Sequence, residues 1–117
     1  MSTVLVVDDE EDIRHLVARM LRHGGFDVVE AGSGEQATEV YEDHGAIDVV
    51  VTDVVLEGET GTELGARLQE SAPDLKVLYI SGCPDVHYVK TSERAAFLSK
   101  PFTIAEIVDS VSDLLTR

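Results

Sequence analysis

Short apolar runs alternate along the chain with longer stretches whose apolar residues recur every three or four positions. The runs are Thr3–Val7, residues 26–31, residues 47–55, Lys76–Ser81 and residues 96–99. They are nearly continuous rather than alternating, which is the habit of strands buried on both faces in a parallel sheet. Between them, Ile13, Leu16, Val17, Met20 and Leu21 make one apolar helical face, and Ala37, Val40 and Tyr41 a second. Leu64 and Leu68 make a third, and Ile104, Ile107, Val108, Val111, Leu114 and Leu115 the last. Helix starts are signalled by capping boxes at Ser33 with Gln36, Thr60 with Glu63, and Thr103 with Glu106. Stops are signalled by Gly24-Gly25, by His44-Gly45 and by Pro73. Strands alternating with helices predict an α/β fold, a parallel sheet covered on both faces as a three-layer sandwich. Residues 82–95 are the least readable. Only Val86 and Val89 offer an inner face there and Pro84 restricts the start, so the fourth helix is expected to be short, at most about two turns, or irregular.

Composition narrows the class without changing this plan. The 117 residues are 44% hydrophobic and 27% charged, which suits a single globular domain spanning 1–117, with no linker or repeat. No stretch approaches the ~18 apolar residues of a membrane span, and the amino terminus lacks a signal pattern. A single cysteine, Cys83, excludes an intrachain disulfide and points to a cytoplasmic setting. The net charge of −14, with nine scattered basic residues, argues against direct nucleic-acid binding and for protein partners or cations.

The chemistry lies at the strand ends. Asp8 and Asp9 follow the first strand, Asp53 ends the apolar core of the third, Ser81 ends the fourth and Lys100 follows the fifth. In a parallel sheet these carboxyl ends form one edge, where ligands bind. Three carboxylates cannot gather there uncompensated, since two unit charges ~4 Å apart repel by ~4 kcal/mol at an effective dielectric near 20. Such a group takes up protons or recruits a cation, and an all-oxygen set suits Mg²⁺, with Mn²⁺ as the alternative. A carboxylate nucleophile, a divalent ion and a lysine match what phosphoryl transfer to aspartate requires, with Ser81 able to donate to a phosphoryl oxygen. Glu10, Glu11 and Asp12 are read only as acids suited to a helix N-terminus. Gly32-Ser33-Gly34 is read as a turn and cap, the four histidines as surface residues, and Cys83 as an ordinary free thiol.

Taken together, Val6-Val7-Asp8-Asp9-Glu10, Thr52-Asp53-Val54-Val55-Leu56, Gly61, Ile80-Ser81-Gly82 and Lys100-Pro101-Phe102 resemble the receiver domain of two-component response regulators. The resemblance covers nearly the whole chain. It implies a flavodoxin-like doubly wound sheet in the order 2-1-3-4-5. It also implies that Asp53 accepts a phosphoryl group from a phosphohistidine of a sensor histidine kinase or a histidine phosphotransfer protein, as in a phosphorelay. Mg²⁺ would be held by Asp8, Asp9, Asp53 and the backbone carbonyl of Val55. Lys100 would contact the phosphoryl group, Ser81 would be the switch hydroxyl and Phe97 the aromatic switch, with a cis bond before Pro101. The domain would be regulatory rather than an enzyme, with at most self-catalysed transfer and dephosphorylation, and a monomer or weak dimer.

The sequence departs from the family pattern in places. Leu56-Glu57 stands where many relatives read Met-Pro, adding negative charge to the loop. Val55 and Cys83 occupy positions that tune dephosphorylation, and an apolar Val55 gives attacking water little help. A magnesium phosphohydrolase is disfavoured because Val55 replaces its second aspartate. The alternative is a phosphorylation-independent receiver-like interaction module, which would bind its partner without Asp53. The wording around Ser81 and Lys100 is most similar to receivers attached to hybrid kinases.

Overall fold

A computed structural model describes residues 2–82 and 91–117. In chain order these form β1 (Thr3–Val7), α1 (Glu11–His23), β2 (Asp27–Ala31), α2 (Gly34–His44), β3 (Val49–Asp53), α3 (Gly61–Ser71), β4 (Lys76–Ser81), β5 (Ala95–Ser99) and α4 (Ile104–Leu115). All strand pairings are parallel and the sheet order is β2-β1-β3-β4-β5. This is the flavodoxin-like doubly wound fold expected from the sequence. The order reverses between β1 and β3, so the crevice of the fold opens where these two strands end.

Strand alternation divides the core into two layers. Leu5, Val7, Val50, Val77 and Tyr79 pack against Ala37 of α2 and Leu64 and Leu68 of α3. Their neighbours Val4, Val6, Val49, Val51, Leu78 and Ile80 pack against Val17 and Leu21 of α1 and Ile107, Val111 and Leu114 of α4. Among the described residues, each face of the sheet therefore carries two helices. That is why β3 holds three successive valines: with both faces covered, none has an outward side, and all three are fully buried.

Some expected positions are corrected. Leu16 is 52% exposed, and α1 buries Val17, Ala18 and Leu21 instead. Leu16 lies about 100° round the helix from Val17, on the flank of the apolar stripe rather than in it. Ile104, at the first turn of α4, is also largely exposed, ahead of the inward stripe that begins at Ile107. Ser33 caps α2 by accepting the Gln36 N–H, but Gln36 Oε1 accepts from the Gly32 N–H rather than closing the reciprocal box. The expected short fourth helix falls within residues 82–95, of which 83–90 lie outside the described residues. Residues 91–94 enter β5 through a bridge between Ser92 and Ala95. Among the described residues no helix is long and apolar enough to cross a membrane.

The Thr60–Glu63 and Thr103–Glu106 capping boxes are both complete. The Thr60 backbone N–H first, and its hydroxyl second, hold the Glu63 carboxyl below its usual range. A depressed folded-state pKa stabilises above the unfolded value and is lost as pH falls through the folded one. Wild type should therefore melt above Glu63→Gln at neutral pH, and thermal melting should show the difference shrinking as pH falls through the lowered range of the Glu63 carboxyl.

Candidate functional site

Strand register brings four strand ends to one place. Val7 pairs with Thr52, Asp53 with Ile80, and Ser81 with Ser99. The next residue, Lys100, donates its backbone N–H to the Ser81 carbonyl at 2.9 Å, and its peptide bond to Pro101 is cis. The lysine side chain turns back over the edge. Its Nζ donates to Asp53 Oδ2 at 2.8 Å and stands 3.7 Å from Asp8 Oδ2. Asp53 is held from the other side as well, because Oδ1 accepts the Val55 N–H at 2.9 Å. The Thr52 hydroxyl donates to the Asp53 backbone carbonyl at 3.0 Å.

Asp8 is almost wholly buried, at 1% exposure. Its Oδ1 accepts the Glu10 N–H at 2.9 Å, whereas Oδ2 has no hydrogen-bond partner among the described residues. Burial pushes the Asp8 carboxyl up; the Glu10 N–H and the Lys100 charge oppose the rise, and the charges of Asp53 and Asp9 add to it. At Lys100 burial alone would lower the pKa. The hydrogen bond to Asp53, with the charges of Asp53, Asp8 and Glu10, outweighs it and raises the pKa overall. Among the described residues, Lys100 supplies the one ammonium within ion-pair reach of Asp8 and Asp53.

Asp9 stands slightly apart. It is exposed, and its Oδ2 accepts the Glu57 N–H at 3.0 Å. Among the described residues no three His, Cys, Asp or Glu side chains gather closely enough to form a ready-made metal cage. A hard ion that keeps several waters and uses one or two carboxylates needs none. The all-oxygen donor set, with a buried carboxylate oxygen at Asp8 that accepts no hydrogen bond among the described residues, fits such an ion.

Ser81 is buried at the end of β4. Phe97 is half-buried on β5, in register with Tyr79 and packed on the core layer of α2 and α3. The Val55 side chain is 62% exposed at the rim. The structure therefore brings Asp8, Asp53 and Lys100 into direct contact range, with Asp9 and Ser81 on the same edge and Phe97 one strand away. Several contributors were not read from the sequence. The amides of Val55 and Glu57 are backbone donors, which no residue type announces. Arg14 donates from Nη1 to the Asp8 carbonyl and from Nε to Glu30, an arrangement its place on α1 does not reveal. Gly61 belonged to the motif, but its reason is visible only here: a Cβ at this position would lie 2.0 Å from the Asp53 carbonyl oxygen.

With this geometry in place, residues 4–112 match the family model of the response regulator receiver domain. The chain belongs to that family. This receiver domain is 33% identical to the sensor kinase CckA of Brucella abortus, over 99% of its own length and 13% of the kinase. It is 30% identical to the response regulator receiver protein CpdR of the same organism, over 98% of both chains. Among solved structures, the response regulator TrrA of Thermotoga maritima, in complex with Mg²⁺–BeF, superposes with a TM-score of 0.88. TrrA is 28% identical, and the match covers 98% of this receiver domain and 100% of that chain. The relatives thus include a receiver embedded in a much longer kinase and one of this chain's own length.

Proposed function

We propose that this receiver domain, taken as one domain over 1–117, is a phosphoacceptor switch. Asp53 takes a phosphoryl group from a phosphohistidine on a sensor histidine kinase or histidine phosphotransfer protein. The observation carrying this reading is Lys100 Nζ seated 2.8 Å from Asp53 and 3.7 Å from the buried Asp8 oxygen that accepts no hydrogen bond among the described residues. An Asp53 carboxylate oxygen forms the new P–O bond as the P–N bond to the partner's histidine breaks, the electron pair returning to the imidazole. Lys100 stabilises the charge on the phosphoryl oxygens, and the Ser81 hydroxyl donates to one of them. TrrA was solved with Mg²⁺–BeF. The same ion is assigned here to Asp8, Asp9, Asp53 and the Val55 backbone carbonyl, and when bound it neutralises phosphoryl charge.

An apolar groove of about 390 Å³ adjoins the acceptor, lined by Ile13, Leu16, Val17, Met20 and Lys100 to Phe102. Lys100 lines both groove and acceptor, so a helix presenting the phosphohistidine would seat there. The Ser81 contact draws on the end of β4, and Phe97 on β5 moves with it, so the β4–β5 side carries the signal. In this role the domain is regulatory: the only group it modifies is its own Asp53, which then loses the phosphoryl group to water.

Incubation with acetyl phosphate, with and without Mg²⁺, followed by intact mass, tests this reading. Wild type should gain one phosphoryl group only with Mg²⁺, and Asp53→Asn none. An unmodified wild type, or Asp53→Asn modified equally well, contradicts it. Unchanged partner binding by Asp53→Ala would favour the interaction-module reading.

A further inference from the structure

The loop joining β3 to α3 is anchored twice. At the front, the Glu57 N–H donates to Asp9 Oδ2 at 3.0 Å. At the rear, the Glu59 carboxylate receives a two-pronged ion pair from Arg67 of α3, Nη1 to Oε2 at 2.6 Å and Nη2 to Oε1 at 3.1 Å. Arg67 Nη2 also donates to Thr38 Oγ1 at 3.0 Å and the Gly34 carbonyl at 3.4 Å, both on α2. Glu59 sits so close over Gly34 that a Cβ there would fall 1.6 Å from Oε1, so the glycine makes room for the pair. Only Gly58, at a φ of +88°, separates Glu57 from Glu59.

Asp9 differs from the other carboxylates of the edge. Asp8 is fixed by burial and Asp53 by Lys100 and the Val55 amide, whereas Asp9 is exposed and leans on the Glu57 N–H. We infer that the Glu59–Arg67 pair is a positioning device for Asp9, acting through the Glu57 amide to aim the carboxylate at the metal. The inference rests on the Mg²⁺-dependent phosphoacceptor reading. Accepting the amide at Oδ2 leaves Oδ1 for the ion, and an outer-shell donor of this kind fixes the direction of a ligand's lone pair. Arg67 suits the task because its planar fork holds both carboxylate oxygens at once, which a lysine does not.

The test is Mg²⁺ binding to the unphosphorylated chain by isothermal titration calorimetry, with amide hydrogen exchange at Glu57 followed in parallel. Arg67→Met and Glu59→Gln should each raise the Kd about tenfold, at the lower end of outer-shell effects. The double variant should be no worse than either single one, and Arg67→Lys should fall between. Exchange at the Glu57 amide should quicken in all of them, a readout independent of phosphorylation. If Arg67→Met does not fold, Glu59→Gln, which keeps the arginine contacts to α2, decides. A wild type that binds Mg²⁺ with variants that bind it equally well, or losses that add in the double variant, overturns this inference alone. A wild type that takes up no Mg²⁺ overturns the phosphoacceptor reading and this inference with it.

Discussion

Lys100→Met is expected to slow phosphoryl uptake at Asp53 by at least about a hundredfold, the loss typical of removing one preorganised donor from developing negative charge. Lys100 Nζ touches Asp53 Oδ2 at 2.8 Å and lies 3.7 Å from the buried Asp8. Methionine matches the four-atom stem of lysine and can keep its apolar contacts along the groove but removes the ammonium, leaving the carboxylates facing one another. The same change should lower stability by roughly 2 kcal/mol, less than the ~3–5 for breaking a fully buried pair. The discount reflects the 24% of the Lys100 side chain that still meets solvent. The rate of mass gain with a small phosphodonor and a urea denaturation curve read the two effects separately. Uptake at the wild-type rate would remove Lys100 from the chemistry.

Gly61→Ala should be strongly damaging for so small a change. A Cβ there would stand 2.0 Å from the Asp53 carbonyl oxygen, 2.9 Å from its carbonyl carbon and 3.1 Å from the Val54 Cα. All three are backbone atoms, so no side chain can swing aside. The Gly61 N–H also donates to the Val54 carbonyl at 2.7 Å, tying the first turn of α3 to the end of β3. Relief therefore requires the helix start or the acceptor strand to retreat. A cost of about 3 kcal/mol or more is expected, at the upper end of overpacking effects. It should appear as a melting temperature lower by roughly ten degrees or more. Phosphoryl uptake should fall with it, since the displaced backbone carries Asp53. Gly58→Ala is the control: nothing lies within 4 Å of the added carbon, and only the positive φ is penalised, by about 1 kcal/mol. Equal melting temperatures for the two variants would refute the crowding argument.

Much of this arrangement is legible in the amino-acid sequence, for a topological reason. A parallel sheet collects the carboxyl ends of its strands at one edge, so polar residues breaking off apolar runs must meet there. The runs themselves show where that happens: Val7 before Asp8, Val49 to Val51 before Asp53, Ile80 before Ser81. Side chains at the ends of strands are therefore recoverable from order alone. What escaped has a different origin. Val55 and Glu57 act through backbone amides, to which their side chains are irrelevant. The Glu59–Arg67 pair joins α3 to a loop eight residues earlier and then reaches α2, a contact made by tertiary packing and not by helical spacing. A pattern of threes and fours admits Leu16 as one residue too many, and only the packed neighbours decide which position is left on the flank. Gln36 has the residue type and spacing for a capping box, yet its carboxamide finds the Gly32 amide first.

Asp53 and no other group should receive the phosphoryl. Borohydride reduction of the chain after treatment with acetyl phosphate and Mg²⁺ converts an aspartyl phosphate to homoserine and leaves free carboxylates untouched. Peptide mapping should then find homoserine at position 53, dependent on Mg²⁺. Homoserine at position 8 or 9, or a phosphorylated chain that yields none, would contradict the account.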